Sequence, residues 1–334
     1  MITTNTLLIV GAGASVPYGY PVGFQLRNKL CNPDNLQDLA EFVDKSLIKK
    51  FCEEFSSAQR YSIDSFLSHR ADEYIILDGE NQSQFTFGKL GKLAIASQLL
   101  KCESPINLEN PIDANDHWLM YLWSCLTRND LPKSEFKNNN IKIITFNYDR
   151  VVEQYFQTVL MKYYGVGLDE AIDLRKHIEI IHVYGVLQKL EDRPYGKIDD
   201  LSKASECIKV IPEARKEDET EFTRAKEIIS WANKICFIGF GFDEINLSRL
   251  GLNRPFSKLW CKDLDGAYFP NPGSVQYGFS RYKMTTAEIN EVMKRLNGGF
   301  VIAPGIIQHK VSRKGVEKLK TLGYLKHINF FSES

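Results

Sequence analysis

The chain has 334 residues, 43% hydrophobic and 25% charged, an ordinary globular composition with room for one large domain or two modest ones. Lys plus Arg and Asp plus Glu each number 42, so the formal net charge is zero, and a balanced surface has no field to hold a nucleic-acid backbone. No apolar run reaches the roughly 18 residues of a membrane span, and the seven cysteines include no CxxC pair, which argues against a disulfide framework and a four-cysteine zinc module and fits a reducing cytoplasm; no metal site is expected.

The opening segment has no basic start and runs straight into a strand, so it does not read as a secretory signal. Short β-branched runs closed by Gly, Asn or Pro predict buried strands at Thr6–Val10, Ile141–Phe146, Glu179–Val183 and Ile235–Phe240, with a candidate fifth at Phe300–Ala303. Helical periodicity falls between them. Leu90, Leu93, Ala94 and Leu100 share one face, as do Trp118, Leu119, Leu122 and Leu126, and then Phe222, Ala225, Ile229 and Ala232. This alternation predicts an α/β chain with a Rossmann-like, doubly wound, mainly parallel sheet. The first crossover is far longer than one helix needs, so residues from about 31 to 135 read as a helical insertion. The domain then covers 1–250, and 251–334 is a C-terminal region rich in Gly, Pro, Tyr and Phe. The charged stretch Pro212–Lys226 reads as a solvated helix face.

The first strand enters Gly11-Ala12-Gly13-Ala14-Ser15, followed by Pro17, Gly19, Pro21 and Gly23. Closely spaced glycines after a strand let main-chain N–H groups approach a pyrophosphate; the plainer reading is a tight strand-to-helix turn. It is not the hydride-transfer fingerprint, because the third glycine of GxGxxG would fall on Val16. At the exit of the second strand, Asn147 offers a donor and an acceptor, or serves as a turn residue. Asp149 is placed to accept from ribose hydroxyls, or to cap the helix through Val151, Val152, Tyr155 and Phe156.

Three segments together, Gly11–Ser15, Thr145-Phe146-Asn147-Tyr148-Asp149 and His182-Val183-Tyr184-Gly185, resemble the sirtuin-like NAD-binding family. Gly239-Phe240-Gly241-Phe242-Asp243 with Asn246 resembles the family's late nucleotide-contacting turn, and Ser62-Ile63-Asp64-Ser65-Phe66-Leu67 resembles the branch found in bacterial anti-phage defence. The resemblance covers roughly residues 5–250. It implies NAD as substrate, held by Gly11, Ala12, Gly13, Ala14, Ser15, Pro21, Asp149, Gly239, Gly241 and Asn246. Asn147 would position a water beside the nicotinamide ribose. It also implies a homo-oligomer, with a HerA-like ring ATPase as candidate partner and the region after residue 250 as the expected assembly surface.

The family places its catalytic histidine directly before the glycine of the third motif, where this chain has Tyr184. An imidazole with a pKa near 6.5 accepts a proton at neutral pH, whereas a phenol near 10 does not; losing a positioned base costs about 10² to 10⁴ in rate. The departure reads as an inactivating substitution that traps a substrate state, a natural low-activity form, or a reaction led by Asn147 and ribose orientation; the intact surroundings favour the first. His182 lies two places earlier, and i, i+2 residues of a strand share a face, so both side chains are expected toward one cleft, roughly 6.5–7 Å apart. The other reading of His182 is a satisfied core histidine. Without a zinc module, and with Phe146 before the asparagine, the expected chemistry is NAD hydrolysis to nicotinamide and ADP-ribose rather than protein deacylation. A non-catalytic NAD or ADP-ribose sensor is the main alternative.

Overall fold

The computed structural model describes residues 1–77, 84–112, 116–198, 200–210, 220–241 and 243–252, and the backbone of a strand at Gln276–Ser280. It is an α/β structure built on a five-stranded, all-parallel sheet of order β3-β2-β1-β4-β5. The strands are β1 (Thr6–Val10), β2 (Ile141–Thr145), β3 (Glu179–His182), β4 (Lys234–Ile238) and β5 (Gln276–Ser280). β1 is central, with Thr6 opposite Ile141 on one side and Lys234 on the other.

Side chains alternate across a strand, and here both faces are covered, so β1 is apolar almost throughout. Leu8 and Val10 enter one core with Ile143, Phe156 and Trp118. Leu7 and Ile9 enter the other with Ile144, Phe237 and the apolar stripe Phe222, Ala225, Ile229 of α10 (Thr220–Trp231). Here α10 follows α7 (Val151–Tyr164), α8 (Leu168–Arg175) and α9 (Leu201–Glu206), and α11 (Glu244–Arg249) follows β4.

Between β1 and β2 lie α1 (Gly23–Leu30), α2 (Lys45–Ser57), α3 (Ile63–Arg70), α4 (Phe87–Leu100), α5 (Pro105–Glu109) and α6 (Trp118–Leu126). Their starts follow capping chemistry. Asp44, Ser62 and Thr86 each accept a hydrogen bond from a first-turn amide of α2, α3 and α4. α4 is buried on nearly all sides, with only Lys89 and Lys92 reaching out. The insertion shares one core with a sheet face: Phe51, Phe66 and Leu90 belong to the same cluster as Leu8 and Val10. Trp118 Nε1 also donates to the Ala14 carbonyl at 2.8 Å, tying α6 to the turn after β1.

Three expected strands overrun by one or two residues. Phe146 N–H still bonds Val10 O and Val183 N–H still bonds Thr145 O, but these are the last rungs before the chain turns away. At β4 the turn is made by Gly239, with φ +59°. The expected strand Phe300–Ala303 lies outside the described residues, as does most of 251–334; the fifth strand described is Gln276–Ser280. Among the described residues, no helix is long and apolar enough to cross a membrane.

A buried ionic cluster locks three loops together. Glu103, after α4, receives Arg150 Nε at 2.9 Å and Nη2 at 2.7 Å, Arg193 at 3.2 and 3.3 Å, and the Gly196 amide at 2.9 Å. Arg150 and Glu103 side chains are 1% and 0% exposed. Removing one member of such a cluster strands the others, which costs far more than an intact pair contributes. Glu103→Ala is expected to lower unfolding free energy by about 3–5 kcal/mol. Glu73→Ala, at the exposed Arg70–Glu73 pair, is expected to cost less than about 1 kcal/mol. Urea midpoints of the two variants check the contrast.

Candidate functional site

Strand order reverses around β1: the chain first adds β2 and β3 on one side, then returns to place β4 on the other. Ligands of open α/β sheets bind outside the carboxyl ends of strands at such a reversal. The carboxyl ends of β1, β2 and β4 carry the glycine turn, Asn147 with Asp149, and Gly239 with Gly241.

The two glycine turns touch. The Gly11 amide donates to Ile238 O and the Gly13 amide to Gly239 O, both at 3.0 Å, and the Ala14 amide folds back to Gly11 O at 2.9 Å. A Cβ on Gly239 would lie 2.0 Å from the Ala14 nitrogen, and one on Gly11 would lie 2.8 Å from Gly239 O. These three amides are therefore engaged by protein carbonyls, which corrects the picture of bare N–H groups awaiting a diphosphate. The glycines here permit backbone-to-backbone approach, while Ala12 at the crest is exposed. Gly241 differs, since an added Cβ would meet nothing within 4 Å. Pro21 is buried just ahead of α1.

Ser15, Asn147 and Asp149 converge. Asn147 Nδ2 donates to Gly11 O and to Ser15 Oγ, each at 3.1 Å, and Ser15 Oγ donates to Asp149 Oδ2 at 2.8 Å. Asp149 Oδ1 accepts from the Val151 amide at 3.2 Å, so the residue serves the first turn of α7 and the polar cluster at once. All three side chains are buried. Burial pushes the Asp149 carboxyl up to about 6, against the opposing hydrogen bonds from Ser15 and Val151.

His182 and Tyr184 do not share a cleft. His182 ends β3 and turns toward α7, with Nδ1 2.8 Å from Asn147 O and Nε2 2.5 Å from Glu153 Oε1. The chain leaves the strand beyond it, and Tyr184 packs in the opposite core, its ring 5.8 Å from Phe146 and 5.6 Å from Phe222. The i, i+2 rule fails because the extended backbone stops at His182. The Tyr184 hydroxyl donates to Asn246 Oδ1 at 2.6 Å, and the Arg249 guanidinium sits 5.2 Å from its ring. Burial raises the Tyr184 pKa further, opposed by Arg249.

Two acids join the site that sequence reasoning gave no role. Glu153 falls one helical turn after Asp149 and is buried, and that spacing was its signal. Asp64, at the start of α3, has its carboxyl raised to about 6 by burial and by the charge of Asp243, so the insertion delivers an acid near the β4 exit. Among the described residues, no group of three or more His, Cys, Asp or Glu is placed to hold a metal ion. A cavity of about 360 Å³ opens beside β3, with His182, Glu153, Arg175 and Gln188 in its lining. The chain matches no family model and no curated protein.

The raised Asp149 carboxyl has a definite linkage sign. The folded state holds its proton to about pH 6, whereas the unfolded chain releases it near 3.9. Between those values the folded state binds more protons, so stability falls as pH rises from about 4 to 6. Asp64 contributes a slope of the same sign. Asp149→Asn is expected to flatten this slope in part, and Asp64→Asn with Asp149→Asn to flatten it further, as read by urea unfolding from pH 4 to 7.

Proposed function

We propose that the chain binds NAD⁺ at the carboxyl ends of β1, β2 and β4 in a Rossmann-like, doubly wound domain and hydrolyses it to nicotinamide and ADP-ribose. The observation that carries this reading is the buried Ser15–Asn147–Asp149 cluster at the strand reversal. Its residues are the ones through which the chain resembles sirtuin-like proteins.

In this reaction the bond between nicotinamide and ribose C1′ breaks, and nicotinamide leaves with the electron pair. Water adds to the oxocarbenium-like carbon and loses a proton. Asn147, its NH₂ held by Gly11 and Ser15, has its Oδ1 to offer the ribose or the water. Asp149, poised near neutral pH, supplies a carboxylate that takes up a proton through Ser15 or holds a ribose hydroxyl. NAD⁺ is substrate here, not a resident cofactor. As an effector of anti-phage defence such an enzyme requires restraint, which the proposal assigns to a homo-oligomer with a HerA-like ATPase as candidate partner.

A second reading, an NAD- or ADP-ribose-sensing module, is favoured by Tyr184. Its hydroxyl is committed to Asn246 and its ring is boxed by aromatics, so the slot where the family keeps a base holds none. The test is nicotinamide release by the purified chain with NAD⁺ alone. Release is expected, and Asn147→Ala is expected to lower it by about 10²-fold or more with calorimetric binding of NAD⁺ retained. Binding without release selects the sensor, release only with an acylated peptide selects a deacylase, and no heat on titrating either NAD⁺ or ADP-ribose overturns all three.

A further inference from the structure

We propose that His182 is a positioning residue: as an imidazolium paired with Glu153, it clamps the main-chain carbonyl of Asn147. The kinetic part of this inference rests on the NAD-hydrolase reading; the charge state does not.

A carbonyl oxygen only accepts, so His182 Nδ1, 2.8 Å from Asn147 O, carries a hydrogen. Nε2 faces a Glu153 carboxylate oxygen at 2.5 Å, so a proton lies between those two atoms as well. Its side is decided by the surroundings. From the loop before α7, the charge of Asp149 favours a charged His182; from α8, the charge of Arg175 favours an ionised Glu153. Burial opposes both, yet the net result raises the His182 pKa and lowers that of Glu153. Both ring nitrogens then bear hydrogen, and the ring has no lone pair with which to accept a proton from water. An imidazolium held in this way cannot act as a general base.

The ring instead completes the hold on Asn147. The Asn147 N–H donates to Thr145 Oγ1 at 3.1 Å, its NH₂ to Gly11 O and Ser15 Oγ, and its carbonyl accepts from His182. Among the described residues, only Oδ1 has no hydrogen bond drawn to it, which is the atom the proposed reaction needs. The clamp joins the end of β3 to the first turns of α7, so it fixes the peptide just past β2 from the side opposite the glycine turn.

Two experiments test it. Nitrogen-15 NMR of the wild-type ring is expected to show two protonated nitrogens at pH 7; one lone-pair nitrogen overturns the proposal, whether or not NAD⁺ is cleaved. His182→Asn keeps a donor where Nδ1 stood but cannot act as a base, whereas His182→Ala keeps nothing. Expected kcat for nicotinamide release is within about tenfold of wild type for His182→Asn and about 10²-fold down for His182→Ala, with KM little changed in both. Equal losses in the two variants, or no loss in either, overturn the clamp. If His182→Ala fails to fold, the NMR result and the His182→Asn rate still decide. Absence of nicotinamide release from the wild type sinks the hydrolase reading and leaves the NMR result to judge the charge state.

Discussion

The approach of two backbone turns, one after β1 and one after β4, is the constraint on which the site is built. Gly11 and Gly13 bring their amides onto the carbonyls of Ile238 and Gly239. No side chain fits between these strands of backbone, because a Cβ at Gly239 would fall inside the covalent framework of residues 13 and 14. Once the turns are closed, Ser15 is carried to a fixed place beside the exit of β2. Asn147 then finds both Gly11 O and Ser15 Oγ in reach. The polar cluster is thus positioned by main-chain packing before any ligand contributes.

Charge is then arranged around that framework. In the interior the Glu103 carboxylate is shared by the Arg150 and Arg193 guanidinium groups, and Arg150 directly follows Asp149 in sequence. Asp149 faces Ser15, while Arg150 points the other way into the ionic cluster, so adjacent residues anchor α7 from two sides. Glu153 and His182 add a third tie. Buried ions are a poor means of gaining stability but a good one of fixing a unique geometry, since each misplacement leaves a charge without solvent or partner.

The sheet was legible where hydrophobic pattern alone decides. β1 reads to the residue, because five consecutive apolar or β-branched positions have nowhere to go but a doubly covered strand. β5 was not legible: Gln276-Tyr277-Gly278-Phe279-Ser280 lacks an apolar run and carries a glycine. Asn147, Ser15 and Asp149 could be singled out as candidates because chemistry-bearing residues cluster at strand exits. The facing of His182 was misjudged because strand ends are invisible to periodicity. The occupied amides of Gly11 and Gly13 were missed because their acceptors come from residues more than 220 positions away. Glu153 and Asp64 were passed over for a related reason: a lone acid within a helix looks solvated until tertiary structure buries it.

The pairing of β1 with β2 also has a bearing on how the chain is made. Thr6 and Ile141 lie opposite each other in adjacent strands, and about 130 residues separate the ends of the two strands. At about 5–20 residues per second, a ribosome needs roughly 7–26 s to deliver the second strand after the first. Through that interval a largely apolar segment has no edge to join, and its other neighbour, β4, emerges later still. The helices made meanwhile, which later share its core, are the only native cover then within reach. The order in which the central strand and its partners leave the exit tunnel thus sets how long β1 waits for its sheet neighbours.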